Sequence, residues 1–299
     1  MRLAAVAAAV ASCSAGDATL TRPPIIANAA PTDVVHYFGV GSNMLKSKLV
    51  NRGLNGTKID VIDFQPASVR GHRLAFNMRG FPPLEPGMGA LEPADDGGHS
   101  ECHGALCTMH ACEYEKVWLS EGGGAPKPGY QEIVVHAYPY GSDTAVPALA
   151  LRARPHARLR VDACPSERYM EILIGGATTL GIQPRYIDEL KAIQVQQVGS
   201  LMRVLAVHYL YLITSLFRLK ARWLVSSLSS LLWLAYVPST CGNPVKRWVG
   251  DVFTALLLLP GALVGGLIRL YLAVTGTPPS PMLAALAAPR QKPEPQPSA

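Results

Sequence analysis

A strand-to-turn segment near the start of the chain carries residue types suited to holding a small anionic or carbonyl group. Residues 37–44 read Tyr-Phe-Gly-Val-Gly-Ser-Asn-Met. Glycines at 39 and 41 allow a sharp turn and a close approach of the backbone to a ligand. Ser42, Asn43 and nearby main-chain N–H groups can then point into one concavity, as in known carboxylate and phosphate cradles. A plain hairpin turn is the structural alternative.

A single carboxylate stands between an apolar stretch and a run of glycines. Glu121 follows Trp118-Leu-Ser and precedes three glycines at 122–124. If such a carboxylate lines a pocket, it can shuttle a proton as a general acid or base. The alternative is an ordinary helix-terminal glutamate beside a flexible loop.

Two tyrosines are further candidates for ligand binding. Tyr130 follows the glycine-rich loop and opens a strand, and Tyr169 lies in a helical segment with a glycine pair at 175–176. The Tyr169 hydroxyl can bind a ligand, or the ring can simply fill the core. Ser42 has no obvious His and Asp partners, so a serine-hydrolase triad is not predicted.

No metal site is predicted. The six cysteines form no CxxC pair. Five of the eight histidines are scattered without the i, i+4 pairing of a metal-binding helix, and we interpret these five as structural or exposed: His72, His103, His110, His136 and His156.

Short strands and a few helices must position these residues. Strands are predicted at 34–40, 68–77, 104–109, 131–137 and 146–152, with turn-rich separators at 82–98 and 122–128. Helices are predicted from about 44, at 111–119, at 166–180 and at 184–192. This order predicts an α+β domain on a small curled sheet, spanning 34–195.

The remaining chain is apolar and basic. Charged residues are only 16% of the sequence, and the +6 net charge is concentrated in 191–275, where eight Lys/Arg face one acid. Apolar runs at 201–217, 223–237 and 252–274 predict membrane-associating helices over 196–275, with localisation at a membrane through 201–274. Buried core helices are the alternative. Nucleic-acid binding is not expected, because residues 1–190 carry no basic patch with interleaved aromatics.

Smaller features concern the last helix and the two ends of the chain. The spacing of Gly261 and Gly265 predicts a close-packing helix face that could support self-association. Residues 1–33 fit a signal peptide, a transit peptide, a lipoprotein leader ending near Cys13 or a disordered start. Residues 276–299 are predicted to be a disordered tail.

Taken in order, five of these motifs resemble the gamma-glutamylcyclotransferase family. Residues 37–44 are similar to its Tyr-Phe-[Ala/Gly]-Tyr-Gly-Ser-Asn-[Leu/Met] signature, and 71–77 and 103–109 to its following strands. The segment 113–122 resembles the helix that carries the family's catalytic glutamate, and 165–193 resembles its closing helices. The resemblance covers about 34–195 and implies a small mixed β-barrel with flanking helices.

The resemblance also implies a reaction and a site. A γ-glutamyl compound cyclises to 5-oxoproline and releases an amine, with Glu121 as the catalytic acid and base and no metal or organic cofactor. The substrate-binding residues that it implies are Tyr37, Phe38, Gly39, Val40, Gly41, Ser42, Tyr169 and, less directly, Tyr130.

The sequence departs from the family pattern at three places. Val40 stands where the family usually has tyrosine, Leu151 lies nearest the place of a family aromatic, and the loop 122–128 is slightly longer than in the family. These differences concern the choice of substrate. Two alternatives to a gamma-glutamylcyclotransferase follow: a catalytically weakened, membrane-anchored γ-glutamyl binder or scaffold, and a cyclotransferase acting on γ-glutamyl amines.

Overall fold

The chain divides into two compact units. The first comprises Met1–Gly80 and Pro86–Gln196, and the second comprises Phe81–Glu85 and Gln197–Ala299. The computed structural model describes residues 23–53, 57–95, 100–125, 127–236, 244–279 and 283–284. The predicted leader up to residue 22 and most of the predicted tail lie outside the described residues.

A closed five-stranded barrel forms the centre of the first unit. Its strands are β1 Val34–Gly39, β2 Asp63–Arg70, β5 Glu101–His110, β6 Tyr130–Pro139 and β7 Val146–Ala153. They follow the order β1-β5-β2-β6-β7 around the barrel. β1 pairs antiparallel with β5, and a parallel contact between Tyr37 of β1 and Leu149 of β7 closes the barrel. The structure therefore confirms the mixed barrel.

Side chains alternate between two apolar clusters on opposite faces of the strands, as strand geometry requires. Tyr37, Leu149 and Leu151 share one cluster with Trp118 of the following helix. The neighbouring Phe38 belongs to the other cluster. Strand β1 is thus buried on both faces, which fixes the place where its carboxyl end emerges.

The prediction of one strand over 68–77 is wrong. β2 ends at Arg70, and a new strand, β3 (His72–Phe81), begins two residues later. Gly71 between them has φ 69°, a left-handed conformation that glycine adopts without steric cost. β3 pairs with β4 (Glu85–Pro93) in a separate two-stranded sheet.

Strand β4 lies inside the segment 82–98 that we predicted to be a turn-rich separator. Its proline and glycines weaken a strand pattern. Position 87 has no room for a side chain, since a Cβ atom there would lie 2.7 Å from the carbonyl oxygen of Phe76. This glycine therefore reflects close packing of two backbones, which is not visible in the sequence, rather than a turn.

Three predicted helices of the first unit are confirmed to within one residue at each end, whereas the helix predicted from about 44 begins at Lys46. A 3-10 turn (Gly41–Met44) leads into α1 (Lys46–Val50). The others are α2 Ala111–Ser120, α3 Glu167–Leu180 and α4 Pro184–Lys191. Ser166 caps α3, because its hydroxyl accepts a hydrogen bond from the backbone N–H of Tyr169 at 3.1 Å.

The described part of the second unit contains three apolar helices, α5 Ser200–Arg218, α6 Arg222–Tyr236 and α7 Pro244–Val274. Among the residues that the structure describes, two segments are long and apolar enough to cross a membrane by length and composition: Ser200–Arg218 and Trp248–Val274, with mean hydropathies of 1.4 and 2.0. Helix α7 begins before the predicted run at 252 and continues through Pro260, so the proline does not end it.

The glycines of α7 face α5 of the same chain. A Cβ atom at Gly265 would lie 1.8 Å from the carbonyl oxygen of His208, and one at Gly261 would lie 2.3 Å from the ring of Tyr209. The close-packing face that we predicted therefore serves a contact within the chain. Self-association through it stays a prediction.

Candidate active site

The sequence candidates meet in one small pocket of the first unit. Its volume is about 40 Å³. Residues from β1, the 3-10 turn, the turn after α1, β4, the end of α2, β6, β7 and α3 line it: Tyr37, Phe38, Val40, Ser42, Asn43, Arg52, Met88, Gly89, Glu121, Tyr130, Leu151 and Tyr169. Residues remote in sequence thus converge where β1 leaves the barrel.

Two glycines shape the pocket without lining it. Gly41 has φ 67°, and a Cβ atom there would lie 2.6 Å from the Tyr169 hydroxyl. A Cβ atom at Gly39 would lie 3.1 Å from that of Asn43. Only glycine at position 41 lets the chain turn this tightly against the Tyr169 ring.

Glu121 sits at the C-terminal end of α2, and its side chain is directed into the pocket. Its carboxylate is only 9% exposed. Gly122, with φ 82°, turns the chain away from the helix. Gly123 packs directly on the Trp118 ring, since a Cβ atom there would lie 2.0 Å from the ring. The glycines at 122 and 123 therefore hold the end of the helix in place.

One oxygen of Glu121 receives two donors. The Arg52 Nη1 atom lies 2.7 Å from Glu121 Oε1, and Asn43 Nδ2 donates to the same oxygen at 3.1 Å. Arg52 Nη2 also donates to the Ser42 hydroxyl at 2.7 Å. The guanidinium therefore ties the carboxylate to the turn that follows β1.

Burial and charge govern the ionisation of the groups around this carboxylate. Asn43 donates to the Tyr37 hydroxyl at 2.8 Å, but burial and then the Glu121 charge raise the pKa of Tyr37 well above its ordinary value. Burial alone would lower the pKa of Arg52, yet the adjacent Glu121 carboxylate raises it. Tyr37 is therefore neutral and Arg52 cationic at neutral pH.

The opposite wall of the pocket is built on Gly89 of β4. The Gly89 N–H donates to the Tyr169 hydroxyl at 3.0 Å, and the Tyr130 hydroxyl donates to the Gly89 carbonyl at 2.9 Å. Burial, followed by the charge of Glu121, raises the pKa of Tyr130 well above its ordinary value. Tyr130 is thus a neutral hydroxyl group, and both candidate tyrosines are held by one backbone residue.

The structure brings most of the predicted residues together and adds three that the sequence analysis missed. Arg52, Met88 and Gly89 were not singled out. Nothing in the sequence separates Arg52 from the exposed basic residues around it, and β4 was taken for a turn. The catalytic and binding roles of the predicted residues stay predictions.

None of the histidines and cysteines that the structure describes lines the pocket. His103 is buried, and its Nδ1 atom lies 2.6 Å from the Tyr140 hydroxyl. Cys102, Cys107, Cys112 and Cys164 are free thiols. Within the described residues, no group of three or more His, Cys, Asp or Glu side chains is placed to hold a metal ion.

Comparisons with known proteins point to one class. The chain is 31% identical over 146 residues to gamma-glutamyl cyclotransferase gliK of Claviceps purpurea and 29% identical over 183 residues to gamma-glutamyl cyclotransferase gliK of Aspergillus fumigatus. The matches cover 48% and 54% of this chain and 64% of each relative, so the chain spans less than two thirds of these relatives' length.

One similar solved structure is named Gamma-glutamyl cyclotransferase. It superposes with a TM-score of 0.47 at 19% sequence identity, and the match covers 56% of this chain and 92% of the other. No family model matches the chain. In sequence, the chain is therefore similar to proteins named for the class that its motifs resemble.

The turn after β1 gives a first test of the site's construction. We expect Gly41→Ala to destabilise the protein by about 1–3 kcal/mol, because alanine is strained at this φ and its methyl group meets the Tyr169 hydroxyl. Gly175→Ala is the matched control: no atom lies within 4 Å of a Cβ atom at this helical position. That variant should be as stable as the wild type or about 0.5–1 kcal/mol more stable. Urea unfolding of both variants measures the difference, and equal stabilities would contradict this account of the turn.

Proposed function

We propose that residues 34–195 form a gamma-glutamylcyclotransferase domain, which converts a γ-glutamyl amino acid to 5-oxoproline and a free amino acid. The observation that carries the proposal is the place of Glu121: a nearly buried carboxylate in a small pocket at the glycine-hinged end of β1. The similarity to relatives named gamma-glutamyl cyclotransferase supports the same reaction.

The reaction needs little from the protein besides proton transfer and orientation. The attacking α-amino nitrogen and the γ-carbonyl carbon belong to one substrate molecule, so their proximity is already provided. A bond forms between these two atoms, and the bond from the γ-carbon to the leaving nitrogen breaks. Two protons move in total from the attacking nitrogen to the leaving nitrogen.

Glu121 would carry both protons. As a carboxylate it takes one proton from the substrate ammonium, which frees the nitrogen to attack. It then gives this proton to the leaving nitrogen and accepts the second proton from the new ring nitrogen. After passing that proton on, it is a carboxylate again, so the cycle needs neither an oxidant nor a reductant.

The segment from Tyr37 to Ser42 would hold the reacting carbonyl through main-chain N–H groups, in the manner of an oxyanion hole. Tyr169 and Tyr130 would complete the binding surface, since their hydroxyl groups lie on the opposite wall. Val40, in place of the family's usual tyrosine, offers no hydroxyl at that point, so we expect it to affect the choice of substrate more than the reaction.

Removal of the carboxylate tests the proposed base. We expect Glu121→Gln to lower the rate of 5-oxoproline release from γ-glutamyl-alanine roughly 10²–10⁴-fold, because the amide cannot accept the ammonium proton. Chromatographic quantification of 5-oxoproline and alanine checks this. Glu171→Gln, at an exposed position of α3, is the control and should keep the wild-type rate.

Other outcomes of that assay separate the alternatives. Unchanged turnover in Glu121→Gln would remove Glu121 from the mechanism. Thermal stabilisation of the wild type by the dipeptide without any product would favour the γ-glutamyl binder. Turnover confined to γ-glutamyl amines would favour the amine-specific cyclotransferase.

We propose further that the helices of the second unit hold the protein at a membrane. Many large apolar side chains of α7 are exposed in the structure, among them Leu256, Leu263, Leu267 and Leu270. A row of exposed leucines is unfavourable in water and favourable against lipid. The basic residues of this unit fit an anionic lipid surface.

Lysine on the exposed face of α7 tests the membrane proposal. We expect Leu263→Lys combined with Leu267→Lys to weaken co-flotation with anionic vesicles strongly, since each lysine costs about 2.5–3.5 kcal/mol within a bilayer. Val161→Lys, at an exposed apolar position of the first unit, should float like the wild type. A wild-type protein that stays monodisperse in water without detergent or vesicles would contradict membrane association.

A further inference from the structure

Arg52 is placed unlike a surface cation. Its side chain is only 24% exposed, and it contacts both the Glu121 carboxylate and the Ser42 hydroxyl at 2.7 Å. Its charge is kept despite burial, because the Glu121 carboxylate raises the pKa of the guanidinium. A fixed positive charge therefore stands beside the proposed base, on an element that the sequence analysis did not connect with the site.

The pocket is too small for a substrate while this ion pair is closed. Its volume of about 40 Å³ is far below the roughly 300–1,000 Å³ of pockets that bind drug-sized ligands. A γ-glutamyl group that reaches Glu121 Oε1 would have to displace Arg52 from it. Without new partners, the nearly buried carboxylate and the partly buried guanidinium would each lose a compensating charge. A ligand that separates them must therefore supply charge of both signs.

A second observation concerns Asn43. Its Nδ2 atom donates to Tyr37 and to Glu121, whereas its Oδ1 atom is buried without a hydrogen-bond partner among the described residues. A buried acceptor with no donor is unfavourable, and such groups are rare in folded proteins. The acceptor lies on the same residue that contacts the Glu121 carboxylate. A ligand with N–H donors next to Glu121 could satisfy it.

We propose that Arg52 is a specificity-determining residue that changes partner when substrate binds. In the free protein it pairs with Glu121. In the complex, Arg52 binds the α-carboxylate of the γ-glutamyl group. The α-ammonium of the substrate then replaces Arg52 as the partner of Glu121 and also contacts Asn43. One ion pair is thereby replaced by two, and the guanidinium can hold the carboxylate through two parallel hydrogen bonds.

This exchange selects the zwitterionic end of an amino acid. A ligand with an amine but no α-carboxylate would separate Arg52 from Glu121 and leave the guanidinium uncompensated. A ligand with a blocked amine would leave Glu121 uncompensated. The inference rests on the proposed function for its substrate, and it assigns to Arg52 a role in recognition rather than in proton transfer.

Two substrates that differ only in the α-carboxylate test the assignment. γ-Glutamyl-alanine carries that group, and 4-aminobutanoyl-alanine has the same amine and amide without it. We expect the wild type to prefer the first by on the order of a hundredfold in kcat/KM, as for loss of one partner of a buried charge pair. In Arg52→Gln the preference should fall below about tenfold, mainly through loss of turnover of γ-glutamyl-alanine.

Two further variants keep the test sharp. Arg52→Lys retains the charge without the planar fork and should recover part of the preference. Lys48→Gln changes an exposed cation on α1, the short helix just before Arg52, and should leave both rates unchanged. If Arg52→Gln lowers both rates equally, or if the wild type does not discriminate between the substrates, the proposal is overturned. The second criterion holds even if Arg52→Gln fails to fold.

Binding of two small ligands separates this proposal from the proposed reaction. L-Glutamine and 4-aminobutanamide again differ only in the α-carboxylate, and thermal unfolding reports their binding. If the wild type releases no 5-oxoproline, but L-glutamine stabilises it and does not stabilise Arg52→Gln, the reaction is rejected and the role of Arg52 stands. If L-glutamine stabilises both proteins equally, or neither, the role of Arg52 is overturned.

Discussion

The candidate site depends on one enclosed ion pair, between the Glu121 carboxylate and the Arg52 guanidinium. The two groups come from segments far apart in the sequence and meet at 2.7 Å in a small pocket. The Glu121 side chain is only 9% exposed, so its charge would be costly without a partner. In the free protein, Arg52 and Asn43 both donate to one carboxylate oxygen, Oε1, and this is the oxygen that the substrate ammonium would reach in place of Arg52.

The surrounding fold supplies the geometry that this pair needs. Burial of β1 on both faces fixes its carboxyl end, and Gly41 then turns the chain against Tyr169. On the other side, Gly123 packs on Trp118 and holds the end of α2, from which Glu121 projects. These close approaches leave the pocket small. A ligand that separates Arg52 from Glu121 must therefore replace the contact between them.

The sequence predicted the parts of this structure that local patterns encode. Three of the helices were placed to within a residue, because an acidic first turn, the Ser166 cap and Pro184 mark their starts. Strand β4 was missed, because Gly87 reflects close packing against a neighbouring backbone rather than a turn. Arg52 was missed for a related reason: four strands, β2 to β5, lie between it and Glu121 in the sequence, and a lone arginine carries no local sign of a distant carboxylate.

The central claim is that the Arg52–Glu121 pair opens to receive the two charges of a γ-glutamyl group. The most direct measurement is a crystal structure of the Glu121→Gln protein soaked with γ-glutamyl-alanine. The account predicts the ligand's α-carboxylate on the Arg52 guanidinium and its α-nitrogen within hydrogen-bond distance of residue 121 and Asn43. A dipeptide bound with its α-carboxylate away from Arg52, or bound outside this pocket, would contradict it.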